Sequence, residues 1–235
     1  MTDHPRQTPS EIYAFLWNAA LPAFREGHVQ IDPHLENRDE DLRRGLTLVL
    51  RPGTEIARNA LHFLEKLREI EPEQHFYQAE EFHITVLSLL TVSPNSKSSA
   101  ENLGLYEKAI ASAARSCREF KLEFHGITAS TDSVMIQGFP ADDALNQLRD
   151  RIRHDFQAIG LDGEFDQRYR RQAAHMTVVR FRKPLQNRAA FCNFLQEMRD
   201  APFGDMQVQA VQLVENDWYM SSSKVRLLRE YQLGS

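Results

Sequence analysis

The sequence has few of the residues that mark several large classes of protein. Of its 235 residues only two are cysteines, Cys117 and Cys192, which argues against a disulfide-stabilised secreted domain. No apolar run is as long as a membrane span, and the N-terminus lacks the basic and apolar segments of a signal peptide. We therefore expect a globular protein of the cytoplasm, with reduced cysteines and no membrane partner.

The sequence also lacks an excess of positive charge. Lysine and arginine number 28 against 33 acidic residues, which gives a formal net charge of −5. Proteins that bind long nucleic acids usually carry a basic surface, so we expect no long double-stranded nucleic acid as partner. Glycine-rich phosphate loops, dinucleotide fingerprints and serine-nucleophile motifs are absent as well. A small nucleotide or the end of an RNA is still compatible with this composition, given a local basic cluster.

What the sequence does contain is one short motif that occurs twice. Residues 82–87 read Phe-His-Ile-Thr-Val-Leu, and residues 174–179 read Ala-His-Met-Thr-Val-Val. Apolar and β-branched residues dominate both copies, which predicts β-strands. Side chains two apart on a strand point the same way, so each copy presents an imidazole beside a hydroxyl.

The elements around the two motifs repeat as well, which indicates a duplicated unit. Each predicted element of the first half recurs close to ninety residues later: strand 46–50 as 133–138, helix 54–70 as 141–159, helix 100–117 as 187–199, and strand 120–128 as 207–214. This order predicts an α+β protein with two pseudo-symmetric lobes from a duplicated β-α-β-α-β unit, whose mainly antiparallel sheets face a central cleft.

The predicted domain boundaries follow from this repeat. Residues 44–232 form the bilobal domain, with halves of about 44–130 and 131–232, and the last strand, 224–231, is expected to pair back into the first half. Residues 1–43 form an N-terminal extension with a polar loop and one helix, from Ser10 to about Arg25. The apolar residues at helical spacing in that helix are Ile12, Phe15, Leu16, Ala19, Ala20 and Phe24.

Two histidines and two threonines in one cleft can carry out acid–base chemistry on a phosphodiester. Histidine titrates near neutrality, so one of His83 and His175 can act as base while the other acts as acid; the sequence does not tell which does which. The hydroxyls of Thr85 and Thr177 can hydrogen-bond phosphate oxygens. This chemistry needs no metal and no cofactor, and no metal-ligand spacing is found among the remaining candidate histidines His62, His75, His125 and His154.

A duplicated His-x-Thr motif with one copy per half resembles the two-histidine (2H) phosphoesterase superfamily, which includes bacterial 2′–5′ RNA ligase-like proteins and cyclic nucleotide phosphodiesterases. The resemblance covers most of residues 44–232. It implies a metal-independent phosphodiesterase that acts on 2′,3′-cyclic nucleotides, 2′-phosphodiesters or RNA ends, as in RNA processing. It also implies catalytic roles for His83 and His175 and phosphate binding by Thr85 and Thr177.

A basic residue often follows the second motif in the ligase-like branch, and Arg180 matches it as a third phosphate-binding residue. Strict strand alternation places Arg180 on the face opposite His175, so a bulge or twist is needed for it to reach a phosphate.

Two further residues are candidate substrate contacts. Arg170 belongs to the basic cluster 168–171, and Tyr219 follows Trp218 in the turn before the last strand. An aromatic ring beside a nucleotide site can stack on a base, although a solvated loop and packed aromatics are compatible with the same residues. The alternative function is a non-catalytic nucleotide- or RNA-binding module with the same cleft. The oligomeric state is left open.

Overall fold

The computed structural model describes residues 7–93, 102–160 and 173–234, which contain five α-helices and nine β-strands. The helices are α1 (Pro9–Glu26), α2 (Thr54–Ile70), α3 (Leu103–Ser116), α4 (Ala144–Ala158) and α5 (Arg188–Glu197). The strands are β1 (Arg44–Leu50), β2 (His75–Phe76), β3 (Ile84–Ser93), β4 (Phe120–Ser130), β5 (Ser133–Pro140), β6 (Met176–Arg180), β7 (Pro202–Val208), β8 (Ala210–Asn216) and β9 (Arg226–Gln232). No helix in these ranges has the length and apolar character needed to cross a membrane.

The strands form a single sheet in the order β7-β4-β5-β6-β3-β1-β8-β9, with β2 paired to β6 at its side. Every strand pair is antiparallel. The predicted α+β class with mainly antiparallel strands is thereby confirmed. The sheets of the two lobes are continuous, because β3 and β6 are hydrogen-bonded neighbours at the centre.

A late strand of each sequence half pairs with a strand of the other half. β4 from the first half pairs with β5, while β8 from the second half pairs with β1. The C-terminal strand β9 joins the first lobe through β8. Each lobe therefore contains chain from both halves, and this exchange joins the lobes into one folding unit.

Two strands of the structure are missing from the sequence-based prediction. β2 is only two residues long, and β7 contains Pro202 and Gly204, whose φ is 111°. Proline and glycine both disfavour strands, so the pattern of β7 is hidden in the sequence. The single strand predicted at 207–214 is the end of β7 followed by β8.

The helices pack on the sheet face that carries the apolar core. α3 and α4 contact each other beside β9 and β3, whereas α5 contacts both α1, which lies over β4, and α2, which lies over β7. In α2 the buried residues recur at helical spacing, as predicted: Ile56, Ala60, Phe63, Leu64 and Leu67. In α1 the predicted Ala20 and Phe24 are buried, but the third buried residue is Tyr13 and Phe15 is 72% exposed, so the predicted apolar face is wrong in its first half. Tyr13 replaces Phe15 in the core because its hydroxyl finds partners there.

One charged side chain lies inside this core, directly behind the two motifs. Arg149 of α4 is fully buried, and its Nε donates to the carbonyl of Val86 at 2.9 Å. Its Nη2 donates to the carbonyls of Thr85 at 3.0 Å and Ala173 at 2.9 Å. Ala173 lies two residues before His175. One planar guanidinium therefore fixes the backbones of both motifs relative to each other.

Replacing Arg149 by methionine should lower the free energy of unfolding by about 3 kcal/mol or more, because three buried carbonyls lose their donors. Arg151→Met on the same helix is the matched control, since that side chain is 53% exposed, and should change stability by less than about 0.5 kcal/mol. Urea denaturation of both variants measures the difference. Equal losses would show that the buried hydrogen bonds do not stabilise the core.

Candidate functional site

The two motifs meet at the centre of the sheet. β3 begins at Ile84, directly after the first histidine, and β6 begins at Met176, directly after the second. Ile84 and Met176 are paired across these antiparallel strands. This register places the histidine of each motif opposite the threonine of the other, with Cβ atoms about 5 Å apart. The pseudo-two-fold axis therefore runs through the Ile84–Met176 pair.

Four polar side chains share the sheet face that points away from the core. Ile84 and Met176 are fully buried in the core, so the side chains on either side of each of them point the other way. All four are half-buried: His83, Thr85, His175 and Thr177. The structure thus brings together the residues that the sequence predicts as catalytic and phosphate-binding.

Each motif strand has a β-bulge at the valine that follows the threonine. Thr85 and Leu87 of β3, which are two residues apart, pair with two adjacent residues of β1, so Val86 is the extra residue. In β6 the same register shift makes Val178 the extra residue. The valine common to both motifs thus marks a matching pair of bulges, which the sequence alone does not reveal.

The bulge at Val178 determines where Arg180 points. Strict alternation would place Arg180 on the core face, but the extra residue returns it to the face of Thr177. The bulge that the sequence-based prediction required is therefore present. Ser88 occupies the corresponding place after the bulge in β3 and is half-buried. Sequence reasoning missed Ser88, because only the register of the bulge places it on this face.

Arg180 is fixed by three neighbours. Its Nε donates to the Tyr77 hydroxyl at 3.0 Å, its Nη1 donates to Asp132 Oδ2 at 3.1 Å, and its guanidinium lies 5.5 Å from the centre of the Trp218 ring. Burial lowers the pKa of Arg180, but Tyr77 and Asp132 outweigh this effect, and the pKa is raised overall. A permanent positive charge is therefore held beside the His–Thr face.

A backbone hydrogen bond fixes the tautomer of His83. Its Nδ1 lies 2.8 Å from the carbonyl oxygen of Glu81, and because a carbonyl can only accept, Nδ1 carries the hydrogen. Nε2 is then the basic nitrogen of the neutral ring. The buried carboxylate of Glu81 accepts from the Gln78 N–H at 3.0 Å, and Arg51 donates to the Phe82 carbonyl at 3.0 Å. These contacts hold the turn that leads into β3.

A third histidine lies beside Arg180, on β2. His75 pairs with Arg180 across the strands, and its Nε2 lies 3.4 Å from Arg38 Nη1. Arginine can only donate, so Nε2 accepts and the ring is neutral. Burial, with the charges of Arg38 and Arg180, lowers the pKa of His75 to about 4. His75 is thus an acceptor at neutral pH, a role that depends on neighbours distant in the sequence.

The predicted substrate contact Tyr219 lies in the loop between β8 and β9. Its ring is fully buried, and its hydroxyl donates to Asp32 Oδ2 at 2.9 Å. Burial and this carboxylate raise the pKa of Tyr219. The next residue, Met220, packs on Val49 of β1, whereas Trp218 is 40% exposed. The accessible aromatic ring of this loop is therefore Trp218.

The N-terminal extension contributes to this side of the sheet. Besides Asp32, it supplies Arg38, whose Nη1 lies 3.6 Å from the buried carboxylate of Glu81. The predicted contact Arg170 falls outside the described residues. Within 7–93, 102–160 and 173–234, no three His, Cys, Asp or Glu side chains are grouped as metal ligands would be.

A protein-family model, described as the AKAP7 2′5′ RNA ligase-like domain, matches residues 51–225. No curated protein sequence matches the chain. The family match covers both motifs and every strand of the described residues except β1 and β9. The segment before β1, with α1, lies outside it.

Several solved structures share the fold. TT0787 of Thermus thermophilus has a TM-score of 0.60 and 14% identity, covering 81% of this chain and 99% of its own. For E. coli LigT the TM-score is 0.54 and the identity 17%, and the match covers 82% of this chain and 99% of LigT. ATU0111 of Agrobacterium tumefaciens, a protein of unknown function, has a TM-score of 0.57 and 16% identity. The match covers 91% of this chain and 97% of ATU0111. E. coli LigT is also known in complexes with ATP, 3′-AMP, NADP+ and phosphate.

Replacing His75 by glutamine should make the protein less sensitive to acid. The folded-state pKa of about 4 lies below the ordinary value of 6.5, so the unfolded chain takes up the proton first, and stability is lost as the pH falls from about 6.5 to 4. The glutamine amide can still accept from Arg38 but does not titrate. Between pH 7 and pH 5 the wild type should lose about 2 kcal/mol more of its free energy of unfolding than the variant, as measured with urea. Equal losses would contradict the lowered pKa.

Proposed function

Because the chain belongs to the family of AKAP7 2′5′ RNA ligase-like domains, we propose that it is a metal-independent phosphodiesterase of the 2H type. Its substrates in this proposal are 2′,3′-cyclic nucleotides, 2′-phosphodiesters or RNA ends. The observation that supports it best is the crossed pair of His–Thr motifs on one sheet face, held by the Ile84–Met176 pairing. Bound ATP, 3′-AMP and NADP+ in E. coli LigT support a small nucleotide as substrate.

In this proposal His83 and His175 transfer protons on opposite sides of the phosphate. For a 2′,3′-cyclic phosphate, one neutral imidazole removes a proton from water as the water oxygen bonds to phosphorus. The bond from phosphorus to one ribose oxygen breaks, and the other, protonated imidazole gives its proton to that oxygen. In His83 the reacting nitrogen is Nε2, because Nδ1–H is bonded to the Glu81 carbonyl.

The phosphate itself is held by hydroxyls and one cation. Thr85 and Thr177 each stand opposite a histidine, so a phosphate between the two imidazoles is within reach of both hydroxyls. Arg180 adds positive charge from the same face, where Asp132 and Tyr77 keep its guanidinium in place. Ser88, at the matching place in β3, offers a further hydroxyl.

The base of the nucleotide stacks on Trp218 in this proposal. The indole is 40% exposed and contacts Arg180 of β6. Two residues later, Met220 packs on Val49, which is the cross-strand neighbour of Thr85. The ring is thus connected to both halves of the site, and a stacked base contributes about 1–3 kcal/mol to binding. Buried Tyr219 supports this loop from behind, and Arg170 stays a predicted substrate contact.

His83→Ala and His175→Ala should each lower kcat for 2′,3′-cyclic AMP by about 100-fold or more, because each removes one of the two proton-transfer groups. His154→Ala, at an exposed histidine of α4, should keep the wild-type rate. Circular dichroism of each variant checks that the fold is intact, and EDTA should leave the wild-type rate unchanged.

Wild-type turnover in either motif variant would contradict the proposed mechanism. Loss of activity in EDTA that a divalent ion restores would contradict metal independence. A wild-type protein that shifts a labelled oligonucleotide but releases no product would favour the non-catalytic binding module.

Trp218→Leu should raise KM for 2′,3′-cyclic AMP roughly tenfold, because the base loses its stacking partner. The chain has two tryptophans, so fluorescence reports the contact directly. Adding 3′-AMP should quench the wild type and Trp17→Phe, but not Trp218→Leu. Trp17 lies on α1, where the Arg199 guanidinium is 4.8 Å from its ring. A quench that persists without Trp218, or an equal rise in KM for base-free ribose 2′,3′-cyclic phosphate, would contradict stacking.

A further inference from the structure

The N-terminal helix α1 places one buried hydroxyl against the backbone of the second motif. Tyr13 is fully buried, and its Oη donates to the Gly138 carbonyl at 3.0 Å. The same oxygen accepts from the backbone N–H of Gly138 at 3.2 Å and of Ala174 at 3.1 Å. Burial raises the pKa of Tyr13 to about 12, so the hydroxyl keeps its proton at neutral pH. Ala174 directly precedes His175.

Three elements together determine how the backbone enters His175. Arg149 of α4 holds the Ala173 carbonyl at 2.9 Å, and Tyr13 of α1 holds the Ala174 N–H. On the third side, Gly138 of β5 lies very close to the Ala174 carbonyl oxygen, since a Cβ added at Gly138 would lie 2.0 Å from that oxygen. Both polar groups of the peptide between Ala173 and Ala174 are therefore held by hydrogen bonds, and the next carbonyl, that of Ala174, is confined by contact with β5.

Tyr13 is itself held in place by the sheet beneath it. Thr128 of β4 donates through Oγ1 to the Tyr13 carbonyl at 2.9 Å. The Tyr13 ring meets Phe139 edge-on, with ring centres 5.4 Å apart. Helix α1 starts at a capping box in which Thr8 and Glu11 bond each other's backbone. The hydroxyl is thus presented to the motif from a fixed helix.

We propose that Tyr13 is a positioning residue for His175, so that α1, which precedes the matched range 51–225, completes the site. His175 lies just before β6, and the direction of its ring follows from the peptide that Tyr13 holds. A misplacement of about 1 Å in a reacting group can lower a rate about 100-fold. The effect on rate depends on the proposed function, whereas the effect on the His175 ring does not.

Tyr13→Phe tests this inference, because it keeps the ring and removes the hydroxyl. We expect kcat for 2′,3′-cyclic AMP to fall tenfold or more while KM changes less than twofold, measured well below the melting temperature. In NMR spectra the Cε1–Hε1 signal of His175, assigned by its loss in His175→Asn, should shift or broaden. The signal of His83 should stay in place.

The matched control is Tyr106→Phe on α3. Tyr106 is also fully buried, and its hydroxyl has no hydrogen-bond partner within the described part of the chain. Its loss should change neither kcat nor the His175 signal. A second test variant, Thr128→Val, removes the bond to the Tyr13 carbonyl and should cause the same two changes as Tyr13→Phe with smaller amplitude.

Wild-type kcat together with an unmoved His175 signal in Tyr13→Phe would overturn the inference, whatever the melting temperature of the variant. If Tyr13→Phe does not fold, an unmoved signal in Thr128→Val overturns it instead. A wild-type protein without turnover contradicts the phosphodiesterase proposal alone, because the His175 signal still decides the role of Tyr13.

Discussion

The candidate site depends on the pairing of Ile84 with Met176. β3 and β6 are bonded there and then separate, since β6 takes β2 as its neighbour from Val179 onward. The two histidines face one space only while this pair stays in register, because a slip of one residue would turn the polar side chains into the core. Burial of Ile84 and Met176 opposes that slip with about 1.5–3 kcal/mol for each side chain.

Apolar burial alone does not define a register to a fraction of an ångström, because apolar side chains can slide against each other. Hydrogen bonds have direction, and here the core supplies them from helices. Arg149 donates to the backbone at both motifs, while the Tyr13 hydroxyl accepts from the N–H of Ala174, the residue before His175. The desolvation cost of a buried guanidinium offsets part of what these hydrogen bonds contribute to stability, while their direction fixes the geometry of both motif backbones.

Sequence patterns were sufficient for several features that depend on neighbours along the chain, although not for the whole buried face of α1. The motif histidines and threonines share a face because strands alternate, and α2 buries the residues its spacing predicts. Features that depend on a partner strand were not predictable: a bulge exists only relative to the register of β1 or β5. Arg180 shows the difference. Strict alternation places its side chain on the core face, and only the bulge at Val178, defined by the pairing with β5, brings it to the face of Thr177. Tyr13 was hidden for a related reason, because a tyrosine in a helix gives no sign of which distant peptide its hydroxyl will meet.

The charge of the site is consistent with a small substrate in an acidic protein. Three arginines lie near the His–Thr face or Trp218, and each has a carboxylate partner: Arg180 with Asp132, Arg38 with Glu81, and Arg43 with Asp41. A paired arginine contributes little to the field at a distance, so a long polyanion is attracted weakly. At contact distance its remaining N–H groups still donate to a phosphate. Such a site is compatible with the single phosphodiester of the proposed substrates, and less so with the extended backbone of a duplex.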